Sequence, residues 1–171
     1  MKSILTSFLC LMASFAANAQ LTKVQTYEYL RSKFAETVDI TIPLNSQLTY
    51  TVNKIKCMVD PISSRRVILN FERAFSNNTS DVVEYSFDPT HIAEVTTSPT
   101  SASSISYINL KFNPKTLVTK RIGTETIFIS GQVLSVPYLS ADKLNAERLQ
   151  KAFMHLKKLY EESKGKDPFV N

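Results

Sequence analysis

Residues 22–36 carry the hydrophobic pattern of an amphipathic helix. Apolar side chains recur at spacings of three and four residues, which places them on one stripe of a helix. The members of this stripe are Val24, Tyr27, Leu30, Phe34 and Val38. Charged and polar residues fill the positions between them, and Asp39 and Pro43 follow the pattern. The sequence therefore predicts an N-terminal helix that buries one face and ends before Asp39.

From about residue 40 to residue 138 the apolar positions alternate with a period of two, which is typical of β-strands. Polar turn sequences such as residues 60–64 separate the alternating segments. The alternation slips at Asn53 and Lys54, which indicates a bulge or a turn. Only Ser, Thr, Pro and Ala occur over residues 97–104, and this composition predicts an exposed hairpin loop. About seven strands without intervening helices indicate an antiparallel sheet that curls into a barrel or sandwich.

Residues 141–163 return to the helical period. The predicted apolar face consists of Leu149, Ala152, Phe153, Leu156, Leu159 and Tyr160. Ser140 or Asp142 can cap the first turn, while Gly165 and Pro168 follow the end of the helix. A long amphipathic helix needs an apolar surface to lie on, so we expect it to cover the sheet and its edges. The predicted fold class is α+β, with an N-terminal helix, a curled antiparallel sheet and a long C-terminal helix.

The first nineteen residues have the three parts of a secretory signal peptide. Lys2 gives a positive start, and the apolar core at residues 4–12 is shorter than the roughly 20 residues that span a bilayer. Ala17-Asn18-Ala19 places small residues where signal peptidase reads them, so cleavage is expected before Gln20. We therefore expect an exported protein, periplasmic or secreted, whose mature residues 20–171 form a single domain with a core at about 22–163.

The number and the distribution of the charged residues argue against a nucleic-acid partner. The chain has 20 basic and 15 acidic residues, and removal of Lys2 with the leader leaves a net charge of +4. These charges are scattered, whereas nucleic-acid binding needs a focused basic stripe with aromatic residues, so we expect no nucleic-acid partner. No mature segment is apolar enough to span a membrane. The partner is expected to be an unidentified protein or envelope ligand, and the oligomeric state stays open.

Few groups in the sequence could support catalysis or hold a cofactor. Three glycines cannot build a phosphate-cradling loop, and Gly-x-Ser-x-Gly does not occur. Asp88, His91 and Glu94 could present metal ligands, but zinc needs three or four supported ligands. A polar turn between strands explains all three residues, and His155 is expected to be a solvated helix position. We therefore predict no enzyme and no catalytic, cofactor-binding or metal-binding residue, and ligand-binding residues stay unassigned.

Cys57 is the one cysteine that remains after Cys10 is lost with the leader, so the mature chain can form no internal disulfide. It alternates with Ile55 and Val59 along a predicted strand, which favours burial as a small apolar residue. A Cys57–His91 nucleophile pair is the remaining enzymatic alternative, because partners in space need not be close in sequence.

Two segments carry a resemblance to a known family. FDPTHIAEV at residues 87–95 and the helical AERLQKAFMHL at residues 146–156 resemble pleckstrin-homology-like barrel domains of small exported proteins from Bacteroidetes-type bacteria. The resemblance implies a bent sheet of seven strands closed by the last helix, with the N-terminal helix as an addition. Some family members hold inositol phosphates through a basic loop between the first two strands. Here that loop offers Arg65 and Arg66, together with Asp60.

The expected function is a non-enzymatic exported binding module that recognises a protein, a peptide or an envelope component. A groove between a strand edge and the last helix is its expected recognition surface. The alternative is a periplasmic carrier whose sheet wraps a small apolar ligand, such as a fatty acid, beneath the last helix. A carrier requires a closed apolar cavity, and five phenylalanines that fill the core would rule it out. These residues are Phe71, Phe87, Phe112, Phe128 and Phe153.

Overall fold

The computed structural model describes residues 22–44, 47–61, 63–98, 104–113, 117–122, 125–130 and 133–164 of the 171. The predicted leader and most of the predicted loop at residues 97–104 lie outside the described residues. Two helices, α1 (Lys23–Ala35) and α2 (Asn145–Lys164), flank the strands. The strands are β1 (Thr41–Pro43), β2 (Thr49–Val59), β3 (Val67–Phe75), β4 (Ser80–Phe87), β5 (Ile92–Ser98), β6 (Ile105–Phe112), β7 (Leu117–Ile122), β8 (Glu125–Ser130) and β9 (Val133–Leu139).

The strands form two antiparallel sheets, one with the order β1-β2-β3-β4-β7-β8 and one with the order β5-β6-β9. The α+β class with a helix before and after the strands is confirmed. The single curled sheet of about seven strands is wrong in its count and its layout, because nine described strands form two sheets and no closed or curled barrel is found among them. The alternation gave no sign that β7 and β8 form a hairpin on β4 while β9 pairs with β6.

The predicted phase slip is a β-bulge in β2. The register of β2 against β3 shifts between Val52 and Lys54. Val52 before the bulge and Ile55 and Cys57 after it are all buried. The extra residue therefore keeps the apolar side chains of a long strand on the inner face of the sheet.

One hydrophobic cluster joins both sheets and both helices. The rings of Phe87 on β4 and Phe112 on β6 lie 5.1 Å apart between centroids and connect the two sheets. The helices meet through Phe34 and Phe153, whose ring centroids are 6.1 Å apart. The core therefore lies between the sheets and beneath the helix pair.

Helix α1 begins at a capping box formed by Thr22 and Gln25, in which each side chain bonds the other residue's backbone N–H. Tyr27, Leu30 and Phe34 are buried, as the periodicity predicts. Val24 is 70% exposed, so its predicted place on the buried stripe is wrong. Because successive residues of a helix are rotated by about 100°, Val24 and Thr26 lie on opposite edges of the apolar stripe. The rest of the protein covers the edge with Thr26, which is buried, and leaves the edge with Val24 exposed.

Helix α2 begins at Asn145, four residues later than predicted, because residues 141–144 form the turn that leads into it. Asp142, one of the two predicted caps, accepts a hydrogen bond of 2.9 Å from the backbone N–H of Leu144. The predicted apolar face is buried except for Leu159, which is half-buried. Neither helix among the described residues combines the length and the apolarity that crossing a membrane requires.

Candidate functional site

Cys57 lies in the core, as predicted. Its side chain is 4% exposed, and burial raises the pKa of the thiol to about 12. His91, its proposed partner, is exposed and ends the short 3₁₀ turn Pro89–His91. A buried neutral thiol is a poor nucleophile, so the geometry does not favour a thiol enzyme.

Asp88 and Glu94 are each engaged in separate local contacts. The Oδ1 atom of Asp88 accepts hydrogen bonds from the Thr90 backbone N–H and hydroxyl, at 2.9 and 2.7 Å. Burial alone would raise the pKa of the Asp88 carboxyl, but these bonds and the Lys164 ammonium outweigh it and lower the pKa. Glu94 pairs with Lys111 at 3.6 Å. Among the residues that the structure describes, no group of His, Cys, Asp or Glu could hold a metal ion.

The two adjacent arginines of the β2–β3 turn have different environments. Arg66 donates from Nε to the Ser86 hydroxyl at 2.8 Å and from Nη2 to the Ser86 carbonyl at 2.6 Å. A further bond of 3.1 Å joins Nη2 to the hydroxyl of Thr119. Arg66 therefore ties the β2–β3 turn to β4 and β7, whereas Arg65 is exposed. His155, expected to be solvated, is half-buried on α2.

The groove expected between a strand edge and the last helix is occupied by side chains of α2. Gln150 donates from Nε2 to the carbonyl of Val95 at 3.2 Å, and Lys157 donates from Nζ to the carbonyl of Ile92 at 2.8 Å. Both carbonyls belong to β5, an edge strand of the smaller sheet. The helix covers a sheet edge, as predicted, and the same contacts close the expected groove to an added peptide strand.

A different concave site, which we call the basic cleft, lies where α1 begins, α2 ends and the β2–β3 turn approaches both. It has a volume of about 190 Å³. Its lining residues are Lys23, Ser64, Arg65, Tyr160, Ser163 and Lys164. Three cationic side chains and three hydroxyl groups therefore line one small space, although they come from distant parts of the sequence.

Helix packing explains why the cleft forms at this point. The hydroxyls of Tyr27 and Tyr160 share a buried hydrogen bond of 2.6 Å, while Phe34 contacts Phe153 farther along the pair. The helices are therefore antiparallel, and the first residue of α1 lies beside the last turn of α2. Lys23 is four residues before Tyr27, so it lies on the buried stripe of α1 and points toward α2.

Lys23 lies in an unusual environment for a lysine. Its Nζ donates to the hydroxyl of Ser163 at 3.0 Å and lies 4.1 Å from the centre of the Tyr160 ring. No carboxylate among the described residues lies within ion-pair distance of this ammonium. Because burial disfavours the charged form, the pKa of Lys23 is lowered. The π face of Tyr160 compensates only part of the lost hydration.

Lys164 also lines the basic cleft and has two partners of its own. Its Nζ donates to the Thr90 hydroxyl at 2.7 Å and lies 3.3 Å from Oδ2 of Asp88. The positive end of the α1 dipole and the negative end of the α2 dipole meet here and oppose each other. The positive character of the cleft therefore comes from its side chains.

The basic cleft was not predicted from the sequence. Of its residues, only Arg65 belongs to a predicted basic loop. The signal that could have revealed it was Lys23, a charged residue at the position where the buried stripe of α1 continues toward the N-terminus. The approach of Lys164 and Arg65 depends on how the helices and the turn pack, which no spacing in the sequence encodes.

Comparison with known proteins gives no relative: no protein-family model, no curated protein and no solved structure matches the chain.

Proposed function

We propose that this chain is an exported, non-enzymatic binding module that recognises an envelope component through a phosphoryl group held in the basic cleft. One observation carries the proposal: Lys23, Arg65 and Lys164 converge from three separate elements on a space of about 190 Å³. Such a space suits a single oxyanion group and is smaller than the roughly 300–1,000 Å³ of sites that enclose a whole ligand.

The chemistry of the lining groups matches a phosphoryl group. A guanidinium can donate two parallel hydrogen bonds to phosphate oxygens, and ammonium groups add charge-assisted bonds. The Ser64 and Ser163 hydroxyls offer further donors. A bound oxyanion would also supply the negative partner that the desolvated Lys23 lacks among the described residues. Binding therefore relieves an unfavourable interaction as well as forming new ones.

We also propose that the fold is an open variant of the pleckstrin-homology-like fold, in which two separate sheets replace the closed barrel and α1 and the β7–β8 hairpin are additions. Support comes from the order of elements, from the common core of the two sheets and from α2, which packs along β5. An experimental structure in which the sheets cross at nearly right angles would support this relation. Sheets aligned within about 30°, as in a sandwich, would contradict it.

The carrier alternative has no specific observation in its favour. Phe71, Phe87, Phe112 and Phe153 are all buried in the hydrophobic cluster that joins the sheets and the helices. The side chain of Phe128, the fifth phenylalanine of the expected core, lies outside the described residues. Because a carrier needs an apolar cavity, the burial of these four rings in one cluster favours the binding module.

Phosphate binding is expected to depend on Lys23. Replacement by Met keeps much of the side chain's length and removes its charge, so the affinity for inorganic phosphate should fall at least 10-fold, by about 1.4 kcal/mol or more. Isothermal titration calorimetry with inorganic phosphate measures this change. Flotation with phosphatidylcholine vesicles, with and without phosphatidic acid, then distinguishes a free phosphate ligand from a lipid headgroup.

Lys143→Met is the matched control for Lys23→Met, because Lys143 is exposed in the turn before α2 and does not line the cleft. Its phosphate affinity should equal that of the unmodified chain. The phosphoryl site is refuted if the Lys23→Met chain binds inorganic phosphate as tightly as the unmodified chain does. It is also refuted if the unmodified chain binds neither inorganic phosphate at about 10 mM nor vesicles that contain phosphatidic acid.

Export itself is testable on the protein as the cell makes it. We expect N-terminal sequencing of the protein purified from its source to begin at Gln20, because signal peptidase cleaves after small residues such as Ala17 and Ala19. Ala19→Arg should block processing and leave the leader attached, whereas Asn18→Arg, between the two positions that are read, should be processed. A purified protein that still begins at Met1 would contradict export by this route.

A further inference from the structure

The outer face of the six-stranded sheet, away from the core, contains a second concave surface, which we call the sheet groove. It has a volume of about 420 Å³ and is lined by residues of β2, β3, β4 and β7, together with Asp60 and Pro61 of the β2–β3 turn. This volume falls within the range that is typical of ligand-binding clefts. The sheet groove shares no lining residue with the basic cleft, although the β2–β3 turn contributes residues to both surfaces.

The strand register arranges the floor of the sheet groove in two rows. In the first row Lys56 lies opposite Asn70, Asn70 opposite Glu84, and Glu84 opposite Arg121. In the second row Met58 lies opposite Ile68, and Ile68 opposite Ser86. Because side chains of one face are two residues apart, the rows are separated by about 7 Å. A charged row therefore runs beside a row that is apolar at Met58 and Ile68 and polar at Ser86, whose hydroxyl accepts a hydrogen bond from Arg66.

The charges of the first row are not balanced along its length. Oε2 of Glu84 accepts hydrogen bonds from Arg121 at 3.0 Å and from Asn70 at 3.3 Å, so this carboxylate is engaged at the Arg121 end of the row. At the other end of the row, no carboxylate among the described residues lies within ion-pair distance of Lys56. The neighbouring Lys54 differs, because it pairs with Glu72 at 3.4 Å. Lys56 thus offers a positive charge to a partner, whereas the other carboxylate that lines the groove, Asp60, follows Met58 by two residues in the β2–β3 turn.

The second row leaves apolar surface open beside this charge. Met58 is 37% exposed and Ile68 is half-buried, while Ser86 is too small to cover either of them. Methionine adapts its shape to different apolar partners. A partner could therefore pack an apolar side chain on Met58 and at the same time pair a carboxylate with Lys56.

We propose that the sheet groove binds an extended segment of a partner protein in which an acidic residue and an apolar residue are two positions apart. Positions i and i+2 of an extended chain are separated by about 7 Å and point to the same side, which matches the spacing of the two rows. The acidic side chain meets Lys56 and the apolar side chain packs on Met58 and Ile68. This partner is distinct from the phosphoryl ligand, and the proposal does not rest on the basic cleft.

Selection of random seven-residue peptides displayed on phage against the purified chain tests this proposal. We expect the selected peptides to share an acidic–any–apolar pattern. The Lys56→Glu chain should instead select peptides with a basic residue at the first position, and it should bind the original peptides at least 10-fold more weakly. Met58→Ser should weaken binding and reduce the preference for the apolar residue.

Two controls show whether the selected peptides bind at the sheet groove or elsewhere on the chain. Lys143→Glu reverses an exposed charge outside the groove and should select the same peptides as the unmodified chain. Lys23→Met should also select them, so failure of the phosphoryl site leaves this result unaffected. The proposal is overturned if no shared pattern emerges or if Lys56→Glu selects unchanged peptides. Binding of anionic vesicles that is lost in Lys56→Glu would assign the surface to a membrane and overturn it as well.

Discussion

Replacement of Phe153 by alanine is expected to lower the free energy of unfolding by about 3–5 kcal/mol, the usual cost of removing a buried aromatic ring. Phe153 is fully buried, and its ring lies 6.1 Å from that of Phe34, so it joins the two helices over the core. The cavity that remains after truncation would lie in the hydrophobic cluster that joins the sheets and the helices. Urea denaturation followed by circular dichroism measures the change.

The adjacent Met154 provides the matched control, because it shares the helix but is 43% exposed. Met154→Ala should change the free energy of unfolding by less than about 0.5 kcal/mol, since surface substitutions seldom do more. A cost below about 1 kcal/mol for Phe153→Ala would mean that α2 is not docked through this face. The position of Lys164 in the basic cleft would then lose its structural basis.

Cys57 is expected to react with iodoacetamide about a thousandfold more slowly in the folded chain than in the chain unfolded by urea. The thiolate is the reactive form, and a pKa raised from 9.0 to about 12 lowers its fraction at neutral pH by about three orders of magnitude. Burial of the sulfur in the inner face of β2 slows access further. Mass spectrometry of the alkylated peptides measures the reaction at Cys57 and separates it from Cys10.

A variant that moves the thiol by one residue tests whether burial is the cause. In the double variant Cys57→Ala and Met58→Cys, the new thiol lies on the outer face of the same strand and should react at the rate of an ordinary cysteine. Rapid alkylation of Cys57 in the folded, unmodified chain would contradict the buried thiol. It would also revive the thiol enzyme that the geometry disfavours.

The local elements follow closely from the sequence because their periods are local. Tyr27, Leu30 and Phe34 predicted α1, and the slip at Asn53 and Lys54 predicted the bulge of β2. The burial of Cys57 followed from its place in the alternation. Val24 was assigned wrongly because a helical pattern defines a stripe but not which of its flanks the rest of the protein covers.

The pairing of the strands could not be read in the same way. Alternation shows which side chains of a strand share a face, but many pairings of several similar strands satisfy it equally well. The β7–β8 hairpin could have extended either sheet, and the structure places it on β4. The same choice creates the first row of the sheet groove, because Arg121 reaches Glu84 only when β7 lies beside β4.

The sequence by itself indicated both helices and the run of strands between them, although not the number of strands, and the apolar face of most of these elements, because side-chain direction repeats with a fixed local period. Only the tertiary structure decided which cations share a space. Lys23, Arg65 and Lys164 meet because Tyr27 and Phe34 of α1 pack against Tyr160 and Phe153 of α2, and the β2–β3 turn then reaches the helix ends. Contacts between segments so far apart depend on the packing of the whole core, which no local pattern records.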